Sequence, residues 1–272
     1  MLHPLIADPH ATRHILKKFK LRAVKGLGQN FLIDANVVKK IVEAAEISAG
    51  EDVLEIGPGI GTLTQGLLEA GANVTAVELD KKLPAVLKET LAGYENFRLV
   101  EGDILKINLA ELMPQKFKVA ANLPYYITTQ ILLTLLEKDL PVTKIVTMVQ
   151  KEVAERMTAA PGSKIYGALS VAVQFCSQPR IAFEVPPESF LPPPEVTSAV
   201  VVCDVRKLPF EVDEEIFFKV VRTAFAQRRK TLLNSLACFG KEKILASGID
   251  VKRRAETLSL EEFAALCKFL KG

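Results

Sequence analysis

Residues 52–61 read DVLEIGPGIG, a short, mostly apolar segment that runs directly into three glycines. An apolar run before a glycine-rich turn is typical of a buried strand followed by a tight loop. The next residues, 62–70, have helical spacing and end at Gly71. We therefore predict a strand, a glycine turn and a helix, which together form the first unit of a doubly wound sheet.

The chain around this unit repeats the alternation of strand and helix. The predicted elements are helices at about 36–47, 81–92 and 128–137, and strands at Asn73–Glu78, Phe97–Glu101, Lys118–Ala121 and Lys144–Val149. Strands that alternate with helices pair in parallel, because each helix carries the chain back to the starting edge of the sheet. The fold class predicted is α/β, with a Rossmann-like and mostly parallel sheet.

Residues 151–206 are less regular. Leu169–Phe175 fits a strand and a buried helix equally well, whereas Arg180–Val185 and Ala199–Val205 are predicted to be closing strands. The proline-rich segment Val185–Pro194 between these strands is predicted to be a rigid extended loop.

After Lys207-Leu208-Pro209 the pattern becomes helical. The predicted helices are Glu214–Phe225, Lys230–Phe239, Lys241–Ala246 and Ser259–Leu270. We predict a catalytic domain over 1–207, with a basic extension at 1–25, and a small α-helical domain over 208–272.

The composition excludes several classes of protein. Hydrophobic residues make up 49% and charged residues 25%, as in an ordinary globular protein. No apolar run reaches the roughly 18 residues of a membrane-spanning helix, and the start of the chain lacks a signal-peptide pattern. The four cysteines are far apart without a C-x-x-C pair, so we expect reduced core thiols, no metal and a cytoplasmic location: Cys176, Cys203, Cys238 and Cys267.

Basic residues are unevenly distributed although the net charge is only +3. Residues 10–25 contain six lysines and arginines and no acid, and two later clusters are Arg228-Arg229-Lys230 and Lys252-Arg253-Arg254. Such patches are typical of proteins that bind a polyanion, although each is also compatible with a solvated helix face. The histidines His3, His10 and His14 all lie near the start, which argues against a buried histidine base.

Three strand ends carry residues suited to an adenosine-containing cofactor, since ligands bind outside the carboxyl ends of parallel strands. Gly57 and Gly59 let a ligand approach the backbone, and their G-x-G-x-G spacing differs from the G-x-G-x-x-G of dinucleotide binders. Glu78 can accept both ribose hydroxyls, and Asp103 can accept the adenine amine. Because nicotinamide enzymes make no regular use of the last contact, S-adenosylmethionine is favoured over NAD.

The fourth strand end, Asn122-Leu123-Pro124-Tyr125, resembles the signature of methyltransferases that act on exocyclic amines of bases, and the chemistry of such an amine explains the residue types. The N6 amine of adenine is a poor nucleophile because its lone pair is delocalised into the ring. The Asn122 side-chain oxygen and a backbone carbonyl within 122–124 can accept the two amino hydrogens and favour a pyramidal nitrogen. Tyr125 can stack on an extruded base, and Pro124 fixes the direction of the backbone. We therefore predict methyl transfer to an exocyclic amine.

The sequence resembles the ribosomal RNA adenine dimethyltransferases, and within them the KsgA-type enzymes of the small ribosomal subunit. The resemblance covers nearly the whole chain. Besides the four strand ends, it rests on four segments: Gly26-Leu27-Gly28-Gln29-Asn30-Phe31-Leu32, the proline-rich segment, Phe225–Leu232 and Arg254–Ser259. It implies that Asn30, Leu32, Gly57, Glu78, Asp103 and Asn122 contact the cofactor.

The resemblance also implies the reaction and the substrate. Two methyl groups would be added to N6 of each of two adjacent adenosines, in the hairpin loop near the 3′ end of 16S rRNA, within the immature small subunit. S-adenosylmethionine would be converted to S-adenosylhomocysteine. We further expect Arg228, Arg229 and Lys230 to grip rRNA phosphates, and the protein to be a monomer without membrane partners.

Three alternatives stay open on the sequence. The first is a 23S rRNA adenine dimethylase of the macrolide-resistance type, which has nearly the same core motifs but is disfavoured by the Phe225–Leu232 segment. The second is a DNA adenine methyltransferase, for which no target-recognition insert is evident. The third is a non-catalytic ribosome assembly or RNA-binding factor, or a transcription factor on the same fold. The assembly role could also coexist with catalysis.

Overall fold

The structure, a computed structural model, describes residues 5–24, 26, 28–137, 140–206 and 211–270. Within these residues the strands are β1 Phe31–Leu32, β2 Asp52–Ile56, β3 Asn73–Glu78, β4 Phe97–Glu101, β5 Phe117–Asn122, β6 Val142–Gln150, β7 Ser177–Val185, β8 Phe190–Leu191 and β9 Ser198–Val205. The α-helices are α1 Pro9–Lys18, α2 Ala35–Ala45, α3 Thr62–Glu69, α4 Leu83–Thr90, α5 Leu109–Leu112, α6 Thr128–Glu137, α7 Lys151–Met157, α8 Ala168–Cys176, α9 Glu214–Ala226, α10 Leu232–Ser235, α11 Lys241–Ala246 and α12 Leu260–Phe269.

The described strands other than β1 and β8 form one sheet, in the order β4-β3-β2-β5-β6-β9-β7. Neighbours from β4 to β6 are parallel, and β9 is antiparallel to both β6 and β7. The predicted Rossmann-like sheet is therefore confirmed. The strand order reverses between β2 and β5, so a crevice opens beyond the carboxyl ends of these two strands.

The sheet is covered on both faces because alternate residues of its strands point to opposite sides. Val53, Val74 and Val146 belong to a core cluster shared with α2, α3 and α4. Leu54, Val119 and Ile145 belong to a second cluster shared with α5, α6 and α7. This double burial explains why the strands are nearly continuous apolar runs.

The predicted helices and strands up to residue 150 are present, with small shifts at their ends. Leu169–Phe175, which the sequence left undecided, lies in the helix α8. The proline-rich segment is not simply extended, because Pro187–Ser189 form a 3-10 turn. Its next two residues form β8, which pairs with β1 in antiparallel register, so this segment is held against residues 31–32.

The described carboxy-terminal helices pack on one another and on α8. Phe175 of α8 stacks on Phe217 of α9 with ring centroids 4.0 Å apart. The predicted helix Lys230–Phe239 was wrong in extent: it is the short α10 followed by a separate 3-10 turn at Ala237–Phe239. Cys238 is consequently exposed rather than in the core, whereas Cys203 and Cys267 are buried and Cys176 is partly buried.

The predicted domain boundary at Lys207-Leu208-Pro209 lies outside the described residues, so the division at 207 stays a prediction. Among the helices that the structure describes, none is long and apolar enough to cross a membrane.

Candidate active site

One large cleft opens at the carboxyl ends of β2, β3, β4 and β5, with a volume of about 1020 Å³ including its mouth. It brings together every residue predicted from the strand ends and from the amino-terminal motif. These residues are Asn30, Leu32, Gly57, Gly59, Glu78, Asp103, Asn122, Leu123, Pro124 and Tyr125. Their roles stay predictions, but their convergence on one cleft follows from the parallel strands, whose carboxyl ends share one edge.

The glycine turn after β2 brings main chain to the cleft surface. Gly57 and Gly59 have φ of 70° and 60°, a region that side-chain-bearing residues rarely adopt. A Cβ atom on Gly59 would lie 3.5 Å from the ring of Phe31, whereas one on Gly57 would meet nothing within 4 Å. The turn therefore presents bare backbone to a ligand, as expected for close approach of a small molecule.

Glu78 ends β3 and is held by two backbone amides. Its Oε1 accepts the N–H of Asp80 at 2.7 Å and its Oε2 accepts the N–H of Gly59 at 3.3 Å. The side chain is buried, and burial raises its pKa above the ordinary value while the Asp80 and Gly59 amides oppose the rise. A fixed carboxylate with remaining lone pairs can accept the two hydroxyls of a ribose.

Asp103 follows β4 at the same edge of the sheet. Its Oδ1 accepts the N–H of Leu105 at 3.1 Å, and the Nζ of Lys106 lies 3.8 Å from its Oδ2. The carboxylate is therefore fixed and still partly exposed to the cleft. It can accept a hydrogen bond from an exocyclic amine of a bound adenine.

The segment Asn122–Tyr125 begins on the last residue of β5. The Asn122 Nδ2 donates to the Asn30 carbonyl at 3.4 Å, which leaves the Asn122 side-chain oxygen to accept hydrogens from another partner. The Pro124 carbonyl already accepts from the Thr128 hydroxyl at 2.9 Å and from the Ile127 N–H at 3.3 Å. Of the backbone carbonyls within 122–124, those of Asn122 and Leu123 therefore remain as candidates for the predicted second acceptor.

Tyr125 is tethered through its hydroxyl. The Tyr125 oxygen lies 2.6 Å from the Oγ of Ser198, which is the buried first residue of β9. Burial raises the pKa of Tyr125, and the Ser198 hydroxyl counteracts part of this rise. The ring is thus held at the cleft wall, whereas the neighbouring Tyr126 is 53% exposed.

The amino-terminal motif closes one side of the cleft. Asn30 precedes β1, and its Nδ2 donates to the Gly28 carbonyl at 3.3 Å. Leu27 of this motif lies outside the described residues. The Ile33 N–H donates to the Ser189 carbonyl at 2.9 Å, so the motif is fastened to the proline-rich segment.

Glu55 is a cleft residue that the sequence reasoning did not select. It is the next-to-last residue of β2, is 1% exposed, and its Oε2 has no hydrogen-bond partner among the described residues. Burial raises the pKa of Glu55 to about 8; the nearby Thr64 hydroxyl opposes this rise, and the negative charge of Glu78 adds to it. A signal exists in the sequence, because Glu55 is the one charged residue in the run Val53–Ile56.

These groups fit S-adenosylmethionine, because the cofactor carries a ribose, an adenine amine and positively charged groups. Glu78 suits the ribose and Asp103 the adenine. The unpartnered oxygen of Glu55, with the unpartnered hydroxyl of Thr62 also at the cleft, suits a cationic or polar end. Among the described residues, no group of three or more His, Cys, Asp or Glu side chains could hold a metal ion.

The fold and the cleft together define an S-adenosylmethionine-dependent methyltransferase. Comparison with known proteins narrows this class, because the family model described as "Ribosomal RNA adenine dimethylase" matches residues 20–272. The chain belongs to the ribosomal RNA adenine dimethylase family.

Curated relatives match over nearly the whole chain. Proteins named "Ribosomal RNA small subunit methyltransferase A" from Alkaliphilus oremlandii and Clostridioides difficile are each 46% identical over 97% of this chain, covering 98% and 96% of their own lengths. The protein of that name from Moorella thermoacetica is 46% identical over 98% of this chain and 99% of its own.

Solved structures agree with the fold. A dimethyladenosine transferase from Plasmodium falciparum superimposes with a TM-score of 0.72 at 28% identity, over 87% of this chain and 95% of that one. The 23S rRNA methyltransferase ErmE superimposes with a TM-score of 0.68 at 25% identity, over 89% of this chain and 99% of its own.

The later basic clusters lie in exposed turns rather than on a helix face. Arg228, Arg229 and Lys230 follow the end of α9 and are exposed. The Arg228 Nη2 donates to the Lys164 carbonyl at 2.8 Å. Arg253 is committed to a bidentate pair with Glu262 at the start of α12, which gives it a structural role.

Proposed function

We propose that this protein dimethylates N6 of two adjacent adenosines in the 3′-terminal hairpin loop of 16S rRNA, within the immature small ribosomal subunit. The observation that carries the proposal is that Asn122–Tyr125, suited to an exocyclic amine, share one cleft with Glu78 and Asp103, suited to the cofactor. The small-subunit substrate is supported by the curated relatives, which are 46% identical over nearly their full lengths and bear that name.

S-adenosylmethionine, when bound, supplies an electrophilic methyl group and leaves as S-adenosylhomocysteine. In this proposal Glu78 holds the ribose hydroxyls, Asp103 the adenine amine, and the bare backbone at Gly57 and Gly59 permits close approach. Asn30 and Leu32 cover the cofactor from the amino-terminal side. Glu55 lies beside the positively charged end of the cofactor, because ionising a buried carboxylate costs free energy unless a cation is next to it.

Asn122 acts on the attacking amine. Its side-chain oxygen accepts one N6 hydrogen, and the carbonyl of Asn122 or Leu123 accepts the other, so the nitrogen lone pair is freed from the ring and directed at the methyl group. Pro124 fixes this backbone, with its own carbonyl held by Thr128. These contacts act by positioning and by hydrogen bonds that strengthen as the nitrogen becomes positive.

Tyr125 holds the extruded adenine by stacking, and Ser198 holds Tyr125. The proton released from N6 passes to water in this mechanism, so no histidine base is invoked. His10 and His14 lie on α1 and are exposed. The absence of a metal requirement, the monomeric state and the cytoplasmic location stay predictions.

The cluster after α9 is proposed to contact rRNA phosphates. Arg228 already donates a hydrogen bond to the Lys164 carbonyl, so Arg229 and Lys230 are the more available cations of this cluster. Changing both to glutamate is expected to weaken binding to small subunits and to lower its salt dependence. The matched control is Arg98→Glu/Lys116→Glu, which reverses two exposed cations near the amino ends of β4 and β5. Binding that is unchanged in the double variant would remove this cluster from the interface.

The substrate is tested by expressing the protein in a strain that lacks the dimethyladenosines of the 3′ loop. Nuclease digestion and mass spectrometry of small-subunit rRNA should then recover N6,N6-dimethyladenosine. The same cells should gain no macrolide tolerance. Tolerance without the modified 16S nucleosides would assign the protein to the 23S activity instead, and that outcome would refute the proposal.

A further inference from the structure

We propose that the exposed face of α1 and the segment after it, defined by Arg13, Lys17, Lys20 and Arg22, is a second phosphate-binding surface for rRNA beside the cleft. This inference rests on the proposed rRNA substrate and extends it to α1, which precedes the residues 20–272 that the family model matches. We call this set the α1 basic surface.

The surface is rigidly attached to the catalytic sheet domain. Ile6 and Ala7 are buried in the first core cluster, and Ile15, Leu16 and Phe19 pack against it. The Ile6 N–H donates to the Gln65 side chain of α3 at 2.8 Å. The apolar side of α1 is therefore already covered by protein, so the helix has no apolar face left to insert into a lipid surface.

The charges on the outer side are of one sign. Residues 5–24 contain a single acid, Asp8, and its Oδ1 caps α1 by accepting the N–H groups of His10 and Ala11. Lys18 is paired with Glu89. Within the described chain, no ion pair is found for the four cations of the α1 basic surface, all of which are exposed.

Helix stability alone does not account for this pattern. Cations in the last turn of a helix favour its dipole, which explains Lys17 and Lys18. Arg13 lies in the middle of α1, and Arg13 and Lys17 are like charges four residues apart, an arrangement that weakens a helix. Arg22 lies beyond the helix. A polyanion bound at this surface would attract these cations and offset the repulsion between them.

The surface leads to the mouth of the cleft. After α1 the chain turns back, and the Val24 N–H donates to the Gln29 side chain at 3.0 Å. Gln29 lines the cleft and donates to Asp80 at 2.8 Å, next to the Glu78 site. The proposal therefore places the phosphates that flank the extruded adenine along Arg22 and, further from the cleft, along Arg13.

The test compares binding of small ribosomal subunits over 50–200 mM salt for the wild type, for Arg13→Gln/Arg22→Gln and for a charge-matched control. The control is Arg98→Gln/Lys116→Gln, whose exposed cations lie near the amino ends of β4 and β5, on the opposite edge of the sheet. Losing two phosphate contacts should reduce the slope of log affinity against log salt by about two. The control should keep the wild-type slope.

Arg13→Lys/Arg22→Lys keeps the charge and should restore the slope, which separates loss of charge from loss of folding. A wild-type slope in the glutamine double variant, or an equal loss in the control, would overturn the inference. The inference would also be overturned if the wild type bound anionic lipid vesicles and the glutamine double variant lost this binding while it kept its binding to rRNA. If the wild type methylates small subunits but the glutamine double variant keeps the wild-type salt slope, the proposed function stands and only the α1 basic surface is refuted.

Discussion

The two halves of the cleft are built in different ways. The half formed by β2, β3 and β4 is lined by buried carboxylates, Glu55 and Glu78, held inside the parallel part of the sheet. The half formed by Asn122–Tyr125 is only partly buried, and Tyr125 depends on Ser198 from an antiparallel strand. In the proposed function the first half holds the cofactor, and the second half receives the RNA base. Changes in the first half should therefore affect cofactor binding, and changes in the second should affect turnover.

Asn122→Ala should give the largest effect and the sharpest test of this division. Without the side-chain oxygen that accepts an N6 hydrogen, methyl transfer should fall by about 10²–10³-fold, as when one fixed hydrogen bond to a transition state is removed. Cofactor affinity by calorimetry should change little. Asn36→Ala, at an exposed asparagine of α2, is the control. Near-normal turnover would refute the role of Asn122.

Glu78→Ala should show the opposite pattern. Loss of the carboxylate proposed for the ribose should weaken cofactor binding by about 10–100-fold, which corresponds to about one hydrogen bond to a charged group. Glu101 is a matched control, because it pairs with Glu78 in register on β4 but is exposed. An unchanged cofactor dissociation constant in Glu78→Ala would remove Glu78 from the site.

Glu55→Gln should separate stability from binding. Since the pKa of Glu55 is raised to about 8, the folded protein holds a proton that the unfolded chain releases above about pH 4.5. Folding stability is therefore lost as pH rises from about 4.5 to 8. The variant avoids this loss and should be more stable by about 1–3 kcal/mol near pH 8, with little gain at pH 4.5.

The same Glu55→Gln variant should bind S-adenosylmethionine more weakly, because the amide cannot neutralise a cation. Thermal unfolding across pH, with and without the cofactor, measures both effects. A stability difference that does not grow between pH 4.5 and 8 would contradict the assignment of a buried, neutral carboxyl group.

Ser198→Ala should give the smallest effect. Removing the tether of Tyr125 leaves the ring in place but less fixed, so kcat should fall by about 3–10-fold, in line with the modest net value of one hydrogen bond. Cofactor affinity should be unchanged. Tyr125→Phe should lose a similar amount, and the double variant should lose no more than either single variant. Additive losses would mean that the two hydroxyls act independently.

The contrast between the two halves also explains what the sequence could predict. Buried parallel strands are near-continuous apolar runs, so their ends, and with them Gly57, Glu78, Asp103 and Asn122, are readable from the chain. Glu55 is also visible in the sequence, as an acid within the apolar run 53–56, but it precedes the strand end at which ligand-binding residues are expected.

Other features carry no local signal. The pair Tyr125–Ser198 joins residues 73 apart, and β1 and β8 are two-residue strands, too short to show alternation. The seven-residue helix α7 covers barely two helical turns, so its periodicity was not detected. The predicted helix Lys230–Phe239 ends after Ser235, where the Ser235 hydroxyl bonds to the Leu232 carbonyl. Such local side-chain bonds compete with the helix.

The central claim is that the two halves of this cleft combine to methylate small-subunit rRNA. Methyl transfer from labelled S-adenosylmethionine should be measured separately on three substrates: small subunits that lack the 3′-loop dimethyladenosines, large subunits and plain DNA. We predict label in the small subunits alone, recovered entirely as N6,N6-dimethyladenosine and absent with Asn122→Ala. Label in large subunits or DNA alone would contradict the substrate, and no label anywhere with the cofactor bound would contradict the enzymatic account itself.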